Sequence, residues 1–204
     1  MLPLEERNFG TMGDTTPHSL DRGQERLLQT VVLVGMMGAG KTAVGRALAA
    51  RLGVAMRDSD AEIVASAQLS IAEIFERYGE PFFREKESAV IARLLEGPPC
   101  ILSTGGGAWM SEANRRLLTE RAAVLWLQAD LWVLWNRVRH KTTRPLLRTD
   151  DPKRTLATLL AEREPVYALA PLRVQVQAHW SIEETSEQVM AELARAGAVE
   201  GYGE

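Results

Sequence analysis

The chain reads as an α/β protein of three layers, with helices on both faces of a five-stranded parallel sheet. Three observations carry that expectation. Short apolar runs alternate with helical patterns five times, the rhythm of a sheet wound through crossover helices. The runs are nearly continuous in apolar residues, which suits strands buried on both faces. The first of them, Val31-Val32-Leu33-Val34, runs into a glycine-rich turn that leads straight into an amphipathic helix.

That turn is Gly35-Met36-Met37-Gly38-Ala39-Gly40-Lys41-Thr42, a Gly-x-x-x-x-Gly-Lys-Thr sequence between a strand and a helix. The four-residue pattern arises by chance in roughly one 200-residue chain in a hundred, before the flanking strand and helix are counted. It predicts a phosphate-binding loop. Glycine lets the backbone turn its N–H groups towards phosphate oxygens, and the helix dipole adds positive potential there. Gly38, Ala39, Gly40, Lys41, Thr42 and Ala43 line the expected ATP site. Lys41 can reach the β- and γ-phosphates, and the Thr42 hydroxyl can enter the shell of Mg²⁺.

Downstream, residues 54–57 form a short second strand. Ser59 and Glu62 have capping-box spacing, so a helix begins there and runs to Ala67. Ser70 and Glu73 repeat the spacing and open a helix through Tyr78. Gly79 stops it, and Pro81 suits the first turn of the next, which buries Phe83, Val90, Ile91, Leu94 and Leu95. A strand over 100–103 enters Thr104-Gly105-Gly106-Gly107. Then come a helix over 111–120, a strand over 122–127 and a helix from Asp130 with Leu131, Leu134, Trp135 and Val138 on one stripe. Residues 141–150 are a polar, basic loop without period. Asp151-Pro152 opens a helix to Ala168, a strand follows over 172–176, and Ser181 with Glu184 caps the last helix. Residues 1–28 read as a flexible N-terminal tail, 29–197 as the domain and 198–204 as a short C-terminal tail.

The totals narrow the partners. A length of 204 residues suits one domain, and 46% hydrophobic residues suffice for a core. The net charge of −3 gives no reason to expect nucleic acid. No apolar stretch approaches the roughly 20 residues of a membrane span, and the N-terminus has no apolar signal core. Cys100 is the single cysteine, next to an apolar run, so it reads as a buried thiol in a cytoplasmic protein.

Loops at the carboxyl ends of parallel strands gather at one cleft. Asp58-Ser59-Asp60 and the triple glycine both sit at such ends, as the phosphate loop does. Asp58 and Asp60 suit either helix capping, which Ser59 already supplies, or a metal-bound water and a proton acceptor. Gly105, Gly106 and Gly107 suit either a tight turn or a backbone that a ligand approaches closely. Arg84, with Glu87 one turn on, is either a solvent-facing ion pair or a fixed clamp for a carboxylate. Arg163 could be a second such clamp, Arg144 could meet charge on a transferred phosphoryl group, and Arg137 could stack on adenine. The five tryptophans read mostly as packing residues, and His18, His140 and His179 have neither metal-ligand spacing nor a nucleophile partner.

Together these pieces resemble the shikimate kinase family. The matching stretches are the phosphate loop, Asp58-Ser59-Asp60, Phe83-Arg84-Glu85-Lys86-Glu87, Gly105-Gly106-Gly107, Arg144-Pro145-Leu146-Leu147 and Arg163-Glu164-Pro165-Val166-Tyr167. They occur in the family's order between about residues 30 and 195. The resemblance implies a P-loop kinase fold and transfer of the ATP γ-phosphate to the 3-hydroxyl of shikimate, on the way to chorismate and aromatic amino acids. It implies that Asp60 is the base and that Arg84 and Arg163 hold the shikimate carboxylate. Gly106 would give the ring a backbone contact, with Gly105 and Gly107 beside it. Lys41 and Arg144 would stabilise phosphoryl charge, and Mg²⁺ would sit on Thr42 and, through water, on Asp58. Residues 141–152 resemble the family's lid, and a monomer is implied. Thr42 stands where many members carry serine, and the segment after Val176 offers no match for adenine contacts. A gluconate kinase shares the P-loop but leaves Asp60, Arg84 and the triple glycine unexplained. A nucleoside monophosphate kinase must hold a second base. A binding protein without turnover needs no base and lid together.

Overall fold

The computed structural model describes residues 25–140 and 145–203. Its centre is β2 (Val31–Val34), buried at every position. The main sheet has the order β3–β4–β2–β5–β6, with β3 spanning Met56–Asp58, β4 Ile101–Ser103, β5 Ala123–Gln128 and β6 Leu172–Gln175. Every pairing is parallel. Parallel neighbours need crossovers, supplied by α1 (Lys41–Leu52), α2 (Ser59–Ala67), α3 (Ile71–Leu95), α4 (Glu112–Arg121), α5 (Leu131–Val138) and α6 (Pro152–Tyr167), while α7 (Ile182–Arg195) follows β6. The predicted five-stranded parallel sheet flanked by helices is the one observed.

Burial explains the composition of the strands. β2 and β4 are fully buried and wholly or almost wholly apolar, and β5 is buried except at its last residue. The edge strands β3 and β6 carry Arg57 and Arg173 at exposed positions. The crossover from β2 runs to β3 on one side of it and the crossover from β4 runs to β5 on the other, so the strand order switches direction at β2. A crevice opens at such a switch point, beyond the carboxyl ends of the strands. The phosphate loop is the segment that follows β2 into it.

Most apolar side chains join one core around the sheet, including Leu33, Leu48, Leu102, Leu125 and Leu134. Ile63, Ile74 and Phe83 form a second, smaller cluster between α2 and α3, where the Phe75 and Phe83 rings lie 4.7 Å apart. The α3 helix is two segments across a break. Gly79 adopts φ 80°, ψ 171°, and Pro81 lies just inside the second segment, as its missing N–H allows.

Several expectations are corrected. Asp58, not Ser59, caps α2: its carboxylate accepts from the Asp60 and Ala61 N–H groups. Ser59 is fully buried instead. Residues 145–150 are not all open loop, since Pro145–Leu147 forms a turn of 3₁₀ helix and Leu147 is buried. The two tail boundaries also shift. β1 (Arg26–Leu27) pairs antiparallel with β7 (Val199–Glu200), and Leu27, Ala198 and Val199 are buried. Residues 25–28 and 198–203 are thus part of the folded unit; the rest of the expected N-terminal tail lies outside the described residues, as do His18 and Arg144. Trp109 and Trp126 are core residues, but Trp132 is 65% exposed. Among the described residues no helix is long and apolar enough to cross a membrane.

Candidate active site

The phosphate loop depends on glycine for its shape. Gly38 and Gly40 have φ of 86° and 107°, values that disfavour any side chain. At Gly38 a Cβ would also lie 2.8 Å from Val138, and at Gly35 one would lie 2.6 Å from the Leu127 carbonyl oxygen. The loop is thereby pressed against β5 and α5. Lys41 donates from Nζ to the carbonyls of Gly35 and Met36, at 2.8 and 3.1 Å, which keeps its ammonium over the loop. The α1 N-terminus has no side-chain cap and no acid in its first turn. By contrast Asp58, Ser70, Ser111, Asp151 and Ser181 cap the ends of α2, α3, α4, α6 and α7. α5 also lacks a side-chain cap, so what marks the α1 end for an anion is the missing cap together with the glycine loop and the Lys41 ammonium beside it.

Arg137 lies against the phosphate loop. Its Nη1 donates to the carbonyls of Ala39 and Gly38, at 3.2 and 3.4 Å, so it braces the loop from α5. Burial lowers its pKa.

Thr42 and Asp58 line a common cleft of about 500 Å³, with Arg46 and Glu62 among its other walls. Asp58 spends one oxygen on the α2 cap, leaving the other for a water or a cation. Among the described residues no group of three or more His, Cys, Asp or Glu could hold a metal. One hydroxyl and one carboxylate suit Mg²⁺ that takes its remaining ligands from phosphate and water.

The triple glycine lies where distant parts of the chain come together. None of the three has positive φ. At two of them other groups stand too close to the backbone for a side chain. A Cβ on Gly105 would lie 2.6 Å from Asp60 Oδ1, and one on Gly107 would lie 2.6 Å from both Nη atoms of Arg84. On Gly106 it would meet Tyr167 Oη at 3.5 Å, Arg163 Nη1 at 3.6 Å and the Gly35 carbonyl oxygen at 3.8 Å, all ordinary contacts. Asp60, Arg84 and Arg163, far apart in sequence, thus converge on three consecutive residues beside the phosphate loop.

Arg84 is held from two directions. Glu80 accepts from its Nε and Nη2, at 3.2 and 3.0 Å, and Glu87 accepts from Nη1 at 2.8 Å. Glu87 is fully buried, and its Oε1 accepts no hydrogen bond from the described residues. Burial pushes its carboxyl pKa up; Arg84 opposes that, while Asp60 and Glu80 add repulsion. For Arg84, burial works against the charge, but the two glutamates outweigh it and raise the pKa. Arg84 is therefore anchored on a buried carboxylate, with its guanidinium against Gly107.

Three positioning groups escaped the sequence reading. Ser59 Oγ accepts from the Gly105 N–H at 3.3 Å. Tyr167 donates to the Gly106 carbonyl at 2.6 Å, and Trp109 donates from Nε1 to the Val166 carbonyl at 2.8 Å. The spacing of Arg163 and Tyr167, one helical turn apart, is the signal that could have revealed the second.

The family model for shikimate kinase matches residues 37–194. The chain is 62% identical over 176 residues to the shikimate kinase of Ruegeria pomeroyi, covering 86% of this chain and 90% of that protein. It is 61% identical over 171 residues to that of Cereibacter sphaeroides, covering 84% and 83%. The solved shikimate kinase from Acinetobacter baumannii in complex with shikimate matches with a TM-score of 0.78 at 34% identity, over 83% of this chain and 94% of that one. On its sequence and on its fold, this chain belongs to the shikimate kinase family.

Proposed function

We propose that the chain transfers the γ-phosphoryl group of ATP to the 3-hydroxyl of shikimate, releasing ADP and shikimate 3-phosphate. The observation that carries this reading is the convergence of Asp60, Arg84 and Arg163 on Gly105, Gly106 and Gly107 beside the phosphate loop. Two guanidinium groups suit one carboxylate, and a single carboxylate suits the hydroxyls of the same small molecule.

In this reading the α1 N-terminus and Lys41 bind the β- and γ-phosphates. Asp60 orients the acceptor hydroxyl and takes its proton as the new O–P bond forms and the bond to the bridging oxygen breaks. Thr42 would hold Mg²⁺, with Asp58 acting through water, and the ion would neutralise phosphate charge. Arg84 and Arg163 grip the carboxylate, and the Gly106 backbone contacts the ring. Arg144 lies outside the described residues; its place in Arg144-Pro145-Leu146-Leu147 supports a role against phosphoryl charge. Closure of a lid over 141–152 would keep water from competing as acceptor.

The test is ADP release from ATP–Mg²⁺ with shikimate, gluconate, a nucleoside monophosphate or no acceptor. Release stimulated by shikimate alone is expected; release indifferent to shikimate contradicts the reading. Asp60→Asn is expected to remove most turnover while ATP affinity, read by nucleotide titration, stays within about twofold of wild type. Normal turnover in that variant would take the base role away from Asp60.

A further inference from the structure

Tyr167 has no assigned part in the chemistry, yet its hydroxyl is placed on the acceptor site. The side chain is fully buried and its ring stacks on Trp126, with centroids 6.1 Å apart. Phenylalanine would fill that space equally well. A buried hydroxyl is unfavourable unless it finds a partner, and this one donates to the Gly106 carbonyl at 2.6 Å.

Gly106 is the middle of three residues without side chains, so nothing of its own fixes the direction of its peptide groups. Anchors come from outside. The Gly105 N–H is held by Ser59, and the Gly106 carbonyl by Tyr167. Arg163 Nη1 reaches the same carbonyl at 3.5 Å. Arg163 and Tyr167 lie one turn apart on α6, so they share a face. The Trp109 indole, just past the glycines, is tied to the Val166 carbonyl of the same helix.

We propose that Tyr167 is a positioning residue for the acceptor substrate. Its hydroxyl locks the Gly106 peptide to α6, so that Arg163 and the glycine backbone present one preset geometry to the shikimate carboxylate and ring. Burial pushes the phenol pKa up to about 12, so the donating proton is present at every ordinary assay pH. The inference rests on the shikimate reading above.

The experiment compares wild type with Tyr167→Phe in steady-state assays that vary shikimate and ATP in turn, with thermal melting alongside. The variant is expected to raise the KM for shikimate about fivefold, the loss of one hydrogen bond, and to leave the KM for ATP within about twofold. The kcat should fall less than the shikimate KM rises, and the KM ratio should stay constant from pH 7 to pH 9. Wild type inactive on shikimate would contradict the functional reading itself. Active wild type with an unchanged shikimate KM in the variant would overturn the role of Tyr167 alone. Equal rises in both KM values, or a variant that does not fold, would assign the hydroxyl to the fold and overturn it too.

Discussion

Arg84 and Glu87 stand three residues apart on a helix, a spacing that occurs on countless protein surfaces. What separates this pair is burial. The glutamate is fully covered, the arginine side chain is one-third exposed, and the guanidinium faces Gly107. A glutamate in a sequence reads as solvated, so the spacing was legible and the burial was not. Arg84→Ala should weaken shikimate binding by about 1.5–3 kcal/mol, the value of a charged hydrogen-bonding partner. It should also cost about 2–3 kcal/mol of stability, because Glu87 is left buried without its partner. Adding Glu87→Gln should recover stability in urea titrations but not shikimate affinity, which separates the two effects. The pH dependence has a defined sign. Burial raises the Glu87 pKa, so its stabilising contribution is full below the ordinary carboxylate value of about 4.3 and is lost as pH rises through the raised one. The stability of wild type relative to the Glu87→Gln single variant should therefore decline from about pH 4 towards neutrality.

At the scale of elements, helix starts were the most legible feature. Ser70 with Glu73 and Ser181 with Glu184 form the capping boxes that their spacing predicts. Ser59 with Glu62 has the same spacing, and there the helix begins one residue earlier, on Asp58. The serine is drawn into the interior, where its hydroxyl takes the Gly105 N–H, and the half-buried aspartate inherits the cap. Spacing alone cannot distinguish these outcomes, because the decision belongs to the neighbouring β4–glycine segment. That segment also makes a sharp prediction. Alanine at Gly105 would displace only the far end of Asp60, so melting temperature should change little, whereas at Gly107 it would push Arg84 off buried Glu87 and lower that temperature. Acceptor geometry, however, should suffer by on the order of a hundredfold in kcat/KM for shikimate, a misplacement of about 1 Å. Variants that unfold, or that keep full kcat/KM, would show that the close approach at these glycines has another purpose.

Across the whole molecule, the strand–helix alternation announced the sheet, while the closure of the chain ends stayed hidden. Two-residue strands have no period to detect. The pairing of Arg26–Leu27 with Val199–Glu200 is a long-range contact that composition does not encode. Arg51 on α1 reinforces it by binding Glu25 and Glu187, and the Tyr202 hydroxyl donates to Glu187. Deleting residues 198–204 uncovers Leu27 and removes buried Val199, so stability should fall by about 2 kcal/mol and the melting temperature by about 5 °C. The site lies at the opposite, carboxyl-end side of the sheet from where β2 begins, so kcat at 25 °C should persist. Loss of activity in the folded truncated protein would tie the ends to the site.

Two halves make one site in the proposed reading. The phosphate loop names the donor and Asp60, Arg84, Gly106 and Arg163 name the acceptor, with the Gly35 carbonyl and Gly106 side by side at their junction. The most direct test of that reading is the identity of the product when the chain is incubated with ATP–Mg²⁺ and shikimate, read by phosphorus–proton correlation NMR. The account predicts a phosphate monoester coupled to the proton on C3 of the shikimate ring. Phosphate on another ring oxygen, or only free phosphate from hydrolysis of ATP, would contradict it.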